Sequence, residues 1–232
     1  SIRQARGESG VTCGRLSCAL GCALVCTAAL LSGGCASRPK PYDYAAFRQA
    51  KPATLLVLPP LNDSTDVKAT ASVWSHATMP LAEAGYYVLP VALVDETFRQ
   101  NGVTVPQDAH GIAHDKLRDY FGADAAVYLR VTRYGTTYAV VASETRVEVE
   151  ARLVDLRTGQ LLWAGKALAT SANQQAQGGL AALLISALVN QIVGAATDAA
   201  YNFAGVATSR LLGVPRLNGM LHGPRSRDYG KT

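Results

Sequence analysis

The stretch SETRVEVEARLVDL, residues 143–156, decides the fold, because its side chains alternate between apolar and charged. The two sets are Val147, Val149, Ala151 and Leu153 on one side, and Arg146, Glu148, Glu150 and Arg152 on the other. A period of two residues indicates a strand with one buried and one solvated face. Gly159 lies in the turn that follows, and Leu161–Leu168, which contains Trp163, forms the return strand. The stretch therefore predicts an antiparallel sheet covered on one side.

The residues before this stretch predict further strands mixed with helices. Thr54–Leu58 is a short apolar run ended by two prolines, which is typical of a buried strand. The expected order is strand Thr54–Leu58, helix Val67–Ala84, strand Tyr86–Leu89, helices Val91–Gln100 and Ile112–Phe121, and strands Ala125–Tyr134, Ser143–Leu156 and Leu161–Leu168. The fold class is therefore α/β (α+β): a mixed sheet with helices on one face, followed by a long C-terminal helical segment.

The N-terminal segment has the three parts of a secretory signal peptide. Arginines at 3, 6 and 15 flank the start of an uncharged apolar run, Leu16–Leu31, which is shorter than the ~20 residues that a membrane-spanning helix needs. Small residues follow at 32–34, and then Cys35. All five cysteines lie at or before Cys35, so the folded part of the chain has no disulfide framework, thiolate metal site or cysteine nucleophile.

Residues 30–35, LLSGGC, resemble the lipobox of bacterial lipoproteins, although Ser32 stands where that family usually has leucine. The resemblance implies cleavage before Cys35, a covalent lipid on its sulfur and, since Ala36 follows, sorting to the outer membrane. An ordinary secretory signal with an incidental cysteine is the alternative. Two or more acyl chains on one cysteine would hold the protein stably on the membrane. The expected organisation is a signal peptide over 1–34, a lipidated cysteine and extended tether over 35–50, an α/β domain over 51–213 and a tail over 214–232.

Three further segments carry a resemblance that extends over nearly the whole chain: LLVLPPLNDST (55–65), GADAAVYLRV (122–131) and VDLRTGQLLWAG (154–165). With the leader and the ending LHGPRSRDYGK (221–231), they are similar to a family of outer-membrane lipoproteins of unknown molecular function that includes a surface vaccine-candidate antigen. More distantly, they resemble the lipoprotein activators of penicillin-binding proteins and the curli-type secretion lipoproteins. The resemblance implies a binding or assembly module in the envelope, without catalytic residues and with no cofactor besides the lipid on Cys35.

The positive charge of the chain is thinly spread along the sequence. Without the leader's three arginines and one glutamate, 19 of the 22 basic and 16 of the 17 acidic residues remain. They include no Lys/Arg cluster of the kind that follows a phosphate backbone, although the sequence pI is near 9.0. We therefore expect no nucleic-acid partner.

Two polar or aromatic groups are candidates for binding. Asn62, Asp63 and Ser64 follow the first strand, where α/β proteins often hold ligands, and the alternative is that they form a turn and cap a helix. Tyr134 and Tyr138 flank a glycine near the tip of a hairpin. Exposed aromatic rings there would suit a protein partner, and cross-strand packing is the alternative.

A pair of histidines is the candidate for metal chemistry. His110 and His114 are four residues apart, so one helix would place both on the same face. The pair lacks the glutamate of a metalloprotease motif and a third ligand at a telling spacing, and a solvated junction between loop and helix is the alternative.

The apolar C-terminal region is a candidate for partner contact. A single helix over Leu180–Leu212 would be roughly 50 Å long, which exceeds a domain of this size, so it must overhang the domain or break at Gly194 or Gly205. The candidate partner-binding residues on its broad apolar side are Leu183, Leu184, Leu188, Ile192 and Val193. Burial in its own domain and membrane insertion are the alternatives.

The sequence thus predicts a non-catalytic lipoprotein, anchored to the outer membrane at its periplasmic face through Cys35, that binds an envelope protein or a second copy of itself. Two alternatives remain. One is a metal-dependent periplasmic hydrolase that uses His110 and His114, and the other is a purely structural lipoprotein that self-associates.

Overall fold

The structure is a computed structural model, and it describes residues 40–138, 143–172 and 199–231. The helices are α1 (Ala45–Ala50), α2 (Ala69–Glu83), α3 (Val91–Gln100), α4 (Pro106–Gly111), α5 (His114–Phe121) and α6 (Ala199–Leu212). The strands are β1 (Thr54–Val57), β2 (Leu61–Asn62), β3 (Tyr87–Val88), β4 (Ala125–Tyr138), β5 (Ser143–Asp155) and β6 (Leu161–Thr170).

The strands form one mixed sheet in the order β3-β1-β4-β5-β6, with the short β2 also paired to β4. The strands β1, β2 and β3 lie in parallel pairs, whereas β4, β5 and β6 form an antiparallel meander. Gly159 has a φ of 72° in the β5–β6 turn, where the Asp155 carboxylate accepts from the backbone N–H groups of Arg157 and Thr158. The predicted α+β fold is confirmed.

The main core lies between one face of this sheet and the helices α2 and α6. The apolar set of β5 is buried there, with Val147, Val149 and Leu153 fully excluded from solvent. Both helices pack against the sheet and against each other. The indole N–H of Trp74 on α2 donates to the Val57 carbonyl at 3.0 Å, which fixes the helix over β1. Burying this apolar set provides ~25 cal/mol for each Å² removed from water.

The opposite face of the sheet is covered near Tyr128. His110 of α4 and His114 of α5 contact the edge of the Tyr128 ring, with centroid distances of 5.1 and 6.3 Å. The Arg152 guanidinium lies 5.6 Å from the centroid of the same ring. The short helices α4 and α5 therefore pack on the face of the sheet that also carries the charged side chains of β5.

Residues that were expected to form an extended tether and a separate tail belong to the folded unit, which begins at Tyr42. Residues 45–50 form helix α1, whose Phe47 is buried. The Tyr42 N–H donates to Asn218 Oδ1 at 2.9 Å, and the Gly223 N–H donates to the Ala84 carbonyl at 2.8 Å. The packed unit therefore extends beyond the expected limits of 51 and 213, because aromatic side chains before 51 and backbone groups after 213 complete the packing.

The C-terminal helix also differs from expectation where the structure describes it. Gly205 lies inside the unbroken α6, so a break there is wrong. A Cβ atom at Gly205 would lie 3.1 Å from the His76 ring, so the glycine instead allows α2 to approach α6 closely. Gly194 and the predicted partner-binding residues lie outside the described residues: Leu183, Leu184, Leu188, Ile192 and Val193.

Candidate functional site

A polar groove of about 690 Å³ runs between the loop after β2 and the β4–β5 hairpin. The loop contributes residues 63–66, β4 contributes 132–137, and β5 contributes Glu144 and Arg146. Two residues of the predicted ligand loop, Asp63 and Ser64, thus line an actual groove. The parallel pairing of β2 with β4 positions them, because it carries the chain out beside β4 at Val131.

The loop is held in shape by its own side chains. Asn62 Oδ1 accepts from the Ser64 N–H at 2.9 Å and from the Ser64 hydroxyl at 2.6 Å, while Asn62 Nδ2 donates to the Asp66 carbonyl at 2.8 Å. These bonds are those of an Asx turn. Asn62 therefore forms a turn, which is the structural one of its two possible roles. It positions Asp63 and Ser64, which line the groove.

Asp63 faces an arginine on β4. Arg130 Nη1 donates to both carboxylate oxygens of Asp63, each at 2.9 Å. The two side chains are 47% and 45% exposed, so the pair contributes ~0–1 kcal/mol to stability. An exposed pair of this strength can exchange partners when a ligand with its own charges enters the groove.

The far end of the groove holds a second carboxylate with fixed partners. Thr170 Oγ1 donates to Glu144 Oε1 at 2.5 Å, and Arg146 Nη2 donates to both oxygens at 2.9 Å. The Thr170 hydroxyl, and then the Arg146 guanidinium, hold the pKa of Glu144 below its ordinary value. Glu144 is thus held as a carboxylate, which suits charge recognition and not proton transfer near neutral pH.

The edge of β4 that faces the groove has no partner strand beyond Val131 among the described residues. The Val131 carbonyl accepts from the Asp63 N–H at 2.9 Å, so the backbone groups of Val131 point away from β5. Val131 lies opposite Val149, and the two therefore form a pair that exchanges no backbone hydrogen bonds.

The same pairing rule gives the direction of the backbone farther along β4. Along an antiparallel strand, pairs with and without backbone hydrogen bonds alternate. Val147 and Thr145 are two and four residues from Val149, so they too belong to pairs without such bonds. Their partners are Tyr134 and Thr136. The N–H and C=O groups of both residues therefore point away from β5, and those of Thr136 point toward the groove. Thr136 is not predicted as a site residue, because nothing in the sequence marks an unpaired strand edge.

The prediction that Tyr134 is an exposed aromatic residue at the hairpin is wrong. Its ring is 8% exposed, and its hydroxyl lies 2.8 Å from that of Ser72 on α2. The pairing register shifts between Val131 and Arg133, and this bulge turns Tyr134 to the buried face. Tyr138 ends β4, and its side chain lies outside the described residues.

The two histidines do not share one helix face, as the metal hypothesis assumed. His110 lies in α4 and His114 begins α5, with an extended residue, Ile112, between the helices. His110 Nε2–H donates to the Pro59 carbonyl at 2.9 Å, and burial lowers the pKa of His110. Within the described parts of the chain, no three His, Cys, Asp or Glu residues are grouped so that they could hold a metal ion.

Residues 42–225 match the model of a protein family described as "Putative lipoprotein GNA1162-like". The chain belongs to this family. It is also 46% identical over 184 residues to a protein of Neisseria meningitidis serogroup B described as "Putative lipoprotein NMB1124/NMB1162", a match that covers 79% of this chain and 86% of that protein. The family resemblance drawn from the sequence is confirmed, and so is the assignment as a lipoprotein.

One solved structure agrees with the GNA1162-like assignment, and another aligns more weakly. The crystal structure of lipoprotein GNA1162 from Neisseria meningitidis aligns with a TM-score of 0.51 at 46% identity, and it covers 62% of this chain and 100% of that one. The C-terminal domain of LpoB from Salmonella enterica aligns with a TM-score of 0.37 at 20% identity, over 50% of this chain and 81% of that one. Over the described residues, no helix has both the length and the apolar character that a membrane crossing requires.

Proposed function

We propose that this GNA1162-like lipoprotein is a non-catalytic binding module of the bacterial envelope. A lipid on Cys35 anchors it at the periplasmic face of the outer membrane after the signal peptide is removed. The module takes up an extended segment of an envelope protein along the open edge of β4. The LLSGGC sequence supports the anchor, and membership in a lipoprotein family agrees with it.

The open edge of β4 carries the binding part of this proposal. Thr136 directs its backbone N–H and C=O groups toward the groove, and an added strand would lie ~4.8 Å away, where it could bond with them. Asp63 and Ser64 line the opposite wall. An extended peptide between these walls would gain main-chain bonds from β4 and side-chain contacts from both sides.

The charges that line the groove indicate which side chains the bound segment carries. Its walls hold both signs, with Asp63 and Glu144 among the acids and Arg133 and Arg146 among the bases. A segment with mixed polar side chains fits these walls better than a uniformly charged or apolar one. Main-chain bonding then supplies affinity, and the alternate side chains of the segment supply specificity.

A proline at position 136 tests this proposal. Thr136→Pro removes an N–H that faces the groove, and it spares the β4–β5 ladder because that N–H makes no bond to β5. Photo-crosslinking from position 137 in intact cells, followed by mass spectrometry, would identify the partner and measure its yield. We expect Thr136→Pro to lower the crosslinking yield at least about tenfold while the protein keeps its melting temperature within a few degrees.

Thr136→Val is the matched control. It removes the hydroxyl that lies 2.8 Å from the Thr145 hydroxyl but keeps the N–H. Crosslinking should therefore persist in Thr136→Val. Equal yields in the proline and valine variants, with both folded, would contradict strand addition at this edge.

A further inference from the structure

The basic residues of the folded unit are concentrated at its two ends in sequence. Residues 42–51 and 214–231 together hold six basic and two acidic residues. The long stretch between them, 52–213, holds 11 basic and 14 acidic residues. Charge that looks thinly spread along the sequence is therefore divided between a basic part and a mildly acidic part.

The fold brings these two basic segments together. The Tyr44 hydroxyl donates to the Gly219 carbonyl at 2.5 Å, and the Tyr86 hydroxyl donates to the Leu221 carbonyl at 2.6 Å. These bonds hold the C-terminal segment beside α1 and β3. Two of the six basic residues, Arg48 and Lys51, lie where the segments meet, beside His222 of the C-terminal segment. Two cationic side chains at one place suit an anionic ligand.

A pocket of about 340 Å³ lies where the two segments meet. This volume falls within the ~300–1,000 Å³ that small-molecule sites occupy. Its apolar walls come from Phe47, Pro52, Tyr86, Leu221 and the Tyr229 ring. Its polar groups include three that carry or can carry positive charge, namely Arg48, Lys51 and His222. The carboxylate of Asp228 is bonded by Lys231 Nζ at 2.8 Å, and Asp228 does not line the pocket.

We propose that this pocket binds the headgroup of an anionic phospholipid. The guanidinium of Arg48 and the ammonium of Lys51 would contact the phosphate, and the apolar walls would hold the glycerol and the first carbons of an acyl chain. Charge-assisted bonds of this kind are among the stronger polar contacts in proteins. A free phosphate offers the same charge but leaves the apolar walls in contact with water, so the structure favours the lipid.

The position of the pocket in the chain agrees with a lipid surface. Arg48 and Lys51 lie on and directly after α1, which begins ten positions after Cys35. Ten steps along the chain extend over ~35 Å at most, so a lipid on Cys35 would limit how far the start of α1 can move from the membrane. This point rests on the anchor part of the proposed function, whereas the pocket and its charges do not.

Native mass spectrometry of the full protein, purified from its membrane in a neutral detergent, tests the proposal. The probes are short-chain phosphatidylglycerol, short-chain phosphatidylcholine and inorganic phosphate. We expect phosphatidylglycerol to bind at least about tenfold more tightly than either other probe. The double variant Arg48→Gln/Lys51→Asn should lose this preference, and asparagine suits position 51 because Lys51 has a φ of 47°.

A second double variant, Lys116→Gln/Arg118→Gln on α5, loses the same charge at a different surface and should bind as the unmodified protein does. Circular dichroism confirms that both variants are folded. Equal binding of the two lipids, retention of the preference by Arg48→Gln/Lys51→Asn, or its loss in the α5 control would each overturn the proposal. Tighter binding of phosphate than of phosphatidylglycerol would also overturn it, because the pocket would then recognise the anion alone. The crosslinking experiment on the groove detects a protein partner and not a lipid. The proposed function and the lipid site can therefore fail separately.

Discussion

Trp163 and Gly165 form a contact whose energy can be measured by a double-mutant cycle. Trp163 is 2% exposed, and its indole N–H donates to the Asn218 carbonyl at 3.0 Å. The ring lies over Gly165, where an added Cβ would be 2.4 and 2.7 Å from two ring carbons. Real Cβ atoms do not approach carbon so closely, so Gly165→Ala forces the indole or the strand to move.

Each single variant should destabilise the protein for a different reason. Trp163→Ala removes a buried aromatic ring and leaves a cavity, which costs ~3–5 kcal/mol. Gly165→Ala overpacks the same position, which costs ~1–3 kcal/mol. Either change is a large share of the ~5–15 kcal/mol that stabilises a domain.

The double variant separates this contact from a general intolerance of substitution. Once the indole is gone, the alanine methyl group enters empty space and fills part of the cavity. The free energy of unfolding of Trp163→Ala/Gly165→Ala should therefore equal or exceed that of Trp163→Ala, which gives a coupling energy of ~1–3 kcal/mol. Urea denaturation followed by far-UV circular dichroism measures all four proteins. Additive losses in the double variant would refute the packing argument.

Three other predictions follow from the sequence and the structure. Cys35→Ser should abolish labelling by an alkyne fatty acid, and label retained by that variant would exclude Cys35 as the lipidated residue. Burial lowers the pKa of His110 and also that of His76, so the folded state binds protons less readily than the unfolded chain, whose histidines titrate at ~6.5. The free energy of unfolding should thus fall as the pH drops through ~6.5, and His110→Gln should weaken that dependence; an unchanged slope would be the contrary result. Finally, Leu184→Glu/Leu188→Glu should convert an oligomer of the chain without its leader into a monomer in sedimentation, whereas a monomeric parent protein would contradict partner binding by the apolar region.

The sequence predicts the antiparallel part of the sheet well, because alternation of Val147, Val149 and Leu153 with charged residues is a local signal. It fails at Tyr134 for a physical reason. Strict alternation puts that residue on the wet face with Tyr128 and Thr132, but the bulge after Val131 shifts the alternation by one residue. A single inserted residue leaves no mark in composition, so the side of the sheet that Tyr134 faces could not be read from the pattern.

The candidate sites show the same limit at longer range. The sequence singles out Asp63 and Ser64, but it cannot show that Thr136, more than seventy residues later, forms the opposite wall of their groove. Likewise Arg48 and His222 line one pocket although they lie near opposite ends of the chain. Local patterns determine helices and strands, whereas surfaces depend on which segments the fold places side by side.

The bonds between the two ends of the folded unit also constrain when folding can finish. Tyr42 and Tyr44 bond to residues 176 and 175 positions later in the chain. Contacts of such large sequence separation form slowly, because most of the chain must be ordered before they close. A nascent chain that emerges from its N-terminus cannot complete the packing of α1 until residues near 220 are available. Docking of the first helix is therefore among the last events of folding, and it takes place only after the final segment of the chain has been made.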